Sequence, residues 1–256
     1  MPRHSLICAA ALLWLGACTS SIQTTSGADY LARYDASHEA ANGVQSDVDA
    51  DIREIAAIEP NLLFPARIGL ARFQHGKLTT LPEDEARIWQ DAIQSAGGEF
   101  GEIVPVSPLI AALVEEAPAR GSNPAVAAIG NIRRGAARQH LDYVLAYEVG
   151  SHRTKKANAY AIADLTIIGM FVLPSRTIQV DAVASGLMLD VRTGYPYATL
   201  ITYAEKSGLS RAVSQTSTGG AYKHSAEARA VDELAGEFVH ALSALKGHAE
   251  ASETTH

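Results

Sequence analysis

The chain has 256 residues, enough for one large domain, and its 28 Asp and Glu against 21 Lys and Arg give a formal net charge of −7. That acidic balance argues against a nucleic-acid partner and against a polybasic membrane-docking patch. Its only cysteines, Cys8 and Cys18, lie near the N-terminus, which leaves the rest of the chain no thiol for a disulfide, a zinc site or nucleophilic catalysis.

In chain order, Arg3 precedes an apolar stretch from Leu6 to Leu15, and the small pair Gly16-Ala17 then leads to Cys18. This is the order of an export signal. An apolar run of about ten residues is too short to cross a hydrocarbon core of roughly 30 Å as a helix, so a cleaved segment is expected. Leu15-Gly16-Ala17-Cys18 resembles the lipobox of bacterial lipoproteins. The resemblance implies a diacylglyceryl thioether on Cys18, removal of residues 1–17, and attachment to a lipid bilayer through the Cys18 acyl chains. Thr19 stands where an aspartate would favour inner-membrane retention, which implies the outer membrane, facing the periplasm. The competing reading is an ordinary secretory signal with Cys18 merely close to the cut. With Arg3 removed, 20 basic residues face 28 acidic ones.

From Thr19 to Gly27 the chain is rich in Ser and Thr without apolar periodicity, which reads as a flexible tether. Residues 18–47 are thus expected to form the lipidated cysteine and tether, with Ala28 to Gly43 either a short helix or a segment ordered by a partner. Asp49 to Ile58 has isoleucines three apart and ends at Pro60, the pattern of a helix. Arg67 to Phe73 reads as a strand. Thr80 and Glu83 have capping-box spacing around Pro82, and Ala86, Trp89 and Ile93 then share one helical face up to Gly97-Gly98. Ile103 to Val106 reads as a short strand, and Ser107-Pro108 opens a helix carrying Leu109, Ile110 and Leu113.

Asn123-Pro124 repeats that start, with Val126, Ile129, Ile132 and Ala136 at helical spacing, and Arg133, Arg134 and Arg138 near the C-terminal end suit the helix dipole. Asp142 to Val149 is apolar on both faces, as in a central strand. The alternation of strands and helices to this point predicts parallel pairing. Thereafter Tyr160 to Leu173, Thr177 to Val191 and Tyr195 to Ala204 are β-rich and separated by short polar turns, which predicts antiparallel hairpins. A last helix carries Val231, Leu234, Ala235, Phe238, Leu242 and Leu245 as one stripe, flanked by His224 and His240. The expected fold is therefore α+β: a mixed sheet with helical crossovers in its first half, an antiparallel meander in its second, and a C-terminal amphipathic helix. One such domain is expected over residues 48–246, with 247–256 a disordered tail.

Tests for enzyme signatures are negative: there is no nucleophile elbow, no phosphate-cradling Gly-rich loop and no paired His at zinc spacing. No catalytic residue, metal or cofactor is assigned. Carboxylates at Asp142, Glu148, Asp164, Asp181 and Asp190 lie in or beside expected strands, where two could converge as an acid/base pair. Asp164 stands out because it interrupts the apolar run from Ala159 to Leu173, as a buried carboxylate or as one paired with an arginine such as Arg176. Asp190-Val191-Arg192-Thr193-Gly194 reads as a self-sufficient hairpin turn, with Asp190 accepting from the backbone and Gly194 at positive φ. Beside it, Arg192, Thr193, Tyr195 and Tyr197 could present a cation and two aromatics at the sheet rim as a binding site, or pack across strands.

The strand entering Asp190-Val191-Arg192-Thr193-Gly194, together with Asp142 to Val149 after an Ala/Arg helix and Ile68 to Phe73 as the opening strand, resembles a group of periplasmic lipoproteins. Their domain is like the N-terminal domain of the Tol translocation protein; the curli-secretion lipoprotein and the lipoprotein activators of penicillin-binding proteins belong to that circle. The chain also resembles the rhombotarget lipoproteins. The likeness implies a non-enzymatic adaptor that binds an envelope protein or peptidoglycan. Alternatives are an envelope hydrolase using the strand carboxylates, or a secretion-pore subunit with extra hairpins from Tyr160 to Val191. Against the pore, Leu165 to Leu173 is apolar on both faces instead of alternating strictly over about ten residues.

Overall fold

The computed structural model describes residues 19–40, 47–117, 123–151, 182–204 and 217–253. They form the expected α+β arrangement. In chain order the elements are β1 (Thr19–Ile22), α1 (Gly27–Ala40), α2 (Asp47–Ala56), β2 (Ala66–Gln74), β3 (Lys77–Leu78), α3 (Glu83–Ala96), β4 (Gly101–Pro105), α4 (Pro108–Ala112), α5 (Pro124–Arg138), β5 (Tyr143–Ser151), β6 (Ala182–Asp190), β7 (Pro196–Ala204) and α6 (Ser217–Glu253). The expected strand from Tyr160 to Leu173, and the site residue Asp164 within it, lie outside the described residues.

A mixed seven-stranded sheet runs β1-β7-β6-β5-β2-β3, with β4 also paired to β2. The pairs β2·β4 and β2·β5 are parallel, as the alternation of strands and helices predicts. The connections between these strands contain α3 and the α4–α5 pair, the helical crossovers that parallel pairing requires. β5, β6 and β7 form the antiparallel meander. Tyr143 to Gly150 of β5 are all buried, because apolar clusters pack on both sheet faces.

One cluster joins the sheet to α3 and α6: Leu70, Leu145, Met188 and Leu200 meet Trp89, Leu234, Phe238 and Leu242. The other lies under α5, where Ile132 and Ala136 meet Ala71, Val144 and Leu189. The α6 stripe is buried as its spacing predicts, each large apolar side chain contributing about 2 kcal/mol of transfer free energy. Trp89 fills the space between Tyr147 and Phe238, with ring centroids 5.2 and 5.9 Å away.

Three expectations change. Thr19–Ile22, expected in the tether, is an edge strand paired antiparallel with β7 from Thr19↔Ile201 to Ile22↔Ala198. An edge strand with exposed side chains needs no apolar periodicity, so its composition reads as linker. The Thr80/Glu83 capping box does not form: Pro82 is the N-cap of α3 and no side chain caps it. Instead Glu83, Asp84 and Glu85 place negative charge in the first turn. Finally, α6 is longer than its stripe. It includes His224 and His240 and passes through Gly247 to Glu253, where Lys246 meets Glu250 one turn on at 3.8 Å.

Candidate binding surface

The Asp190 turn forms as its residues dictate. Asp190 Oδ1 accepts from the Arg192 and Thr193 backbone N–H groups at 2.7 and 2.8 Å, and Gly194 adopts φ 78°. From α5, Arg133 donates to the carbonyls of Val191 and Arg192 at 3.2 and 2.9 Å, so this cation fastens the turn to the helix.

Of the two readings of Tyr195 and Tyr197, packing holds and the rim site does not: the rings lie 5.0 Å apart and face inward. Tyr197 is fully buried and Tyr195 nearly so, because the distant segments before α1 and before β2 cover them. Tyr197 Oη accepts from Asn61 N at 3.0 Å, and Tyr195 Oη donates to Thr25 O at 3.1 Å. Tyr143 joins them edge-on to Tyr197 at 5.5 Å, accepting from Leu63 N at 2.7 Å. Burial raises the pKa of all three phenols, so they remain neutral staples. Of the expected rim site only Arg192 and Thr193 remain exposed.

Of the expected carboxylates that fall in the described residues, Asp142 and Asp190 stand at the same end of neighbouring strands, where Val191 N donates to Asp142 O at 2.9 Å, but each is held by backbone groups and Glu148 lies apart. Asp142 accepts from Arg67 N at 2.9 Å at the start of β5, and Glu148 lies six residues further along, about 20 Å at strand rise. Asp190 is occupied by its own turn. Asp164 and Asp181 lie outside the described residues.

A different charged group is buried. Arg72 of β2 donates to Glu85 of α3 at 2.8 Å, and the two side chains are 11% and 7% exposed. Tyr147 Oη donates to the same Glu85 oxygen at 2.9 Å, while Arg72 Nη1 also reaches Thr79 Oγ1 at 3.1 Å. Burial and the Glu85 charge push the Tyr147 hydroxyl far above the usual range. For Arg72, burial alone lowers the pKa, but the hydrogen bond and charge of Glu85 outweigh it and raise it. The group therefore clamps α3 to the sheet.

Large apolar side chains are exposed on α2, where Val48 and Ile55 are 65% and 69% exposed, and on α4 and α5, where a cleft lies as well. Leu109, Leu113 and Val126 are 81%, 77% and 65% exposed. Ala111 is the buried residue of α4, since a Cβ at Gly135 of α5 would lie only 2.7 Å from its Cβ. Such close approach admits only small residues, and it turns both leucines outward on one face. Beside them a cleft of about 230 Å³ is lined by β3, α4 and α5, including Lys77, Leu78, Ala111, Glu115, Ala128 and Asn131. One signal of this surface was available: Pro108 to Val114 contains no polar residue, so a short helix there must show some apolar side chains to solvent.

No family model matches the chain, and no curated protein does. Among solved structures it is similar to a PelC dodecamer from Paraburkholderia phytofirmans. The identity is 13%, the match covers 70% of this chain and 86% of that one, and the TM-score is 0.31. A single-substitution variant of the same dodecamer in another crystal form matches at 15% identity, covering 68% and 92%, with a TM-score of 0.30. Likeness at this level assigns no function.

Proposed function

We propose that this chain is a lipid-anchored lipoprotein of the outer membrane, facing the periplasm, that serves as a non-enzymatic binding or adaptor module in envelope assembly. The address rests on Arg3, the Leu6 to Leu15 stretch and the Leu15-Gly16-Ala17-Cys18 lipobox. The binding role rests on one observation: Leu109, Leu113 and Val126 stand exposed on the helical layer that carries the α4–α5 cleft. Large apolar side chains grouped on one layer favour a protein partner, which buries them, over peptidoglycan, whose polar sugars call for hydrogen-bonding groups.

Affinity capture from detergent-solubilised envelopes tests this. The wild-type chain retains an envelope protein that the Leu109→Asp/Leu113→Asp double variant loses, with circular dichroism and the acylated mass unchanged between the two. Equal retention by both proteins, or retention of peptidoglycan fragments alone, refutes the assignment of this surface.

A further inference from the structure

We propose that the outer face of α2 is a docking site for a basic amphipathic helix of a partner protein. It lies on a different element from the α4–α5 cleft and stands independently of it.

α1 and α2 pack chiefly on each other as an antiparallel hairpin, and its two free ends meet where a Cβ on Gly27 would lie 2.1 Å from Ala56 O. Glu59, just past α2, pins the same point by accepting from Gly27 N and Ala28 N. Between the helices the side chains are polar and aromatic. Tyr34 Oη donates to Asp49 Oδ1 at 2.7 Å, Arg53 pairs with Asp35, and the Arg53 guanidinium lies 5.4 Å from the Tyr34 ring centre. Asp49 and Arg53, four residues apart, therefore mark the inward face of α2.

Val48, Ile52 and Ile55 follow i, i+4, i+7 spacing and form a second face, about a third of a turn round the helix. Ile52 is half-buried, while Val48 and Ile55 are 65% and 69% exposed. None of the three is among the described residues of either core cluster. An ordinary helical hairpin buries such a stripe and shows its charges to water. This one does the reverse, which leaves the apolar face for an external partner.

Charge decides the occupant. Asp51 is three residues from Val48 and four from Ile55, so it borders both, and Glu54 extends that border by three residues. Both carboxylates are exposed. The only Lys or Arg residues of the two helices are Arg33 and Arg53. Arg53 is held by Asp35, and Arg33 sits on α1, where it donates to the Asp29 carbonyl. The rim of the stripe is therefore negative. A second copy of α2 would set carboxylate against carboxylate, and an anionic leaflet would repel the same rim. A helix whose own apolar stripe is flanked by Lys or Arg covers Val48, Ile52 and Ile55 and pairs with Asp51 and Glu54 at once.

The probe is a fluorescein-labelled synthetic helix of about 18 residues, five turns, with leucines at i, i+4, i+7 spacing and lysines on both flanks. It is titrated against the full chain in non-ionic detergent and read by anisotropy, with micelle uptake subtracted. Two further peptides replace the lysines by glutamates or scramble the order, and both should bind at least about tenfold more weakly. Val48→Gln/Ile55→Gln keeps charge and helix propensity and should weaken the lysine-flanked helix at least about tenfold, with circular dichroism unchanged. In Asp51→Lys/Glu54→Lys the preference should invert toward the glutamate-flanked helix, and high salt should narrow the gap in either protein. No binding at about 1 mM of the lysine-flanked peptide, equal affinity for the two charged peptides, or undiminished binding by Val48→Gln/Ile55→Gln overturns the assignment. So does a dimer in sedimentation of the full chain that Val48→Gln/Ile55→Gln dissolves, which gives the face to a second copy.

Discussion

Replacing Glu85 by Ala is the most demanding test of how the helical layer is fixed to the sheet. In the wild type a guanidinium 11% exposed is neutralised by a carboxylate 7% exposed at 2.8 Å. Removing the carboxylate strands the Arg72 charge, a loss of about 3–5 kcal/mol for a buried pair broken on one side. The Tyr147 hydroxyl also loses its acceptor, an event that by itself costs about 1–3 kcal/mol. The two losses share one oxygen and are not additive, so about 4 kcal/mol is expected. The bond from Arg72 to Thr79 survives and sets a limit on the loss. In the double variant Arg72→Met/Glu85→Leu, similar volume without charge should recover most of that stability. Urea unfolding followed by circular dichroism and by Trp89 fluorescence measures both, since Trp89 lies 5.2 Å from the Tyr147 ring. A Glu85→Ala loss below about 1 kcal/mol, or a double variant no better than the single, refutes the clamp.

Glu59 reaches across the sequence to the start of α1, accepting from Ala28 N at 2.8 Å, Gly27 N at 3.0 Å and Ser26 Oγ at 3.2 Å. The Ala28 N–H leads the groups that hold its pKa below the usual glutamate range. Its contribution is therefore fully present above that range and is lost as pH falls through the lowered value. Protection of the first α1 amides, taken relative to their intrinsic exchange rate at each pH, should fall on acidification in the wild type and be low already at neutral pH in Glu59→Gln; identical protection in both proteins counts against the cap. Gly101, at φ 103°, stands where a Cβ would lie 2.2 Å from the Ala66 carbonyl oxygen, so Gly101→Ala should cost at least about 2 kcal/mol by strain and by loosening β4 from β2. A change in the urea midpoint within error of zero would contradict that packing.

Where one period dominates, the sequence is a sufficient guide: the α6 stripe from Val231 to Leu245 and the continuous apolar run of β5 each allow one environment. The misreadings come from non-local contacts. Tyr195 and Tyr197 look like rim aromatics until the Thr25 and Asn61 segments, 170 and 136 residues away in sequence, cover them. Glu85 looks like an ordinary first-turn acid because its partner, Arg72, sits on a strand thirteen residues earlier. In α4 the apolar set surrounds the helix, so spacing gives no direction, and only the close approach of Gly135 makes Ala111 the inward residue. β1 is the subtlest case, since its four residues bond through backbone and show no side-chain pattern at all.

β1 also has a structural consequence for the sheet edge. It shields the edge of β7, whose unpaired backbone groups would otherwise invite strand addition. Its own outer edge is only four residues long, too short a template for further pairing, so the sheet ends there.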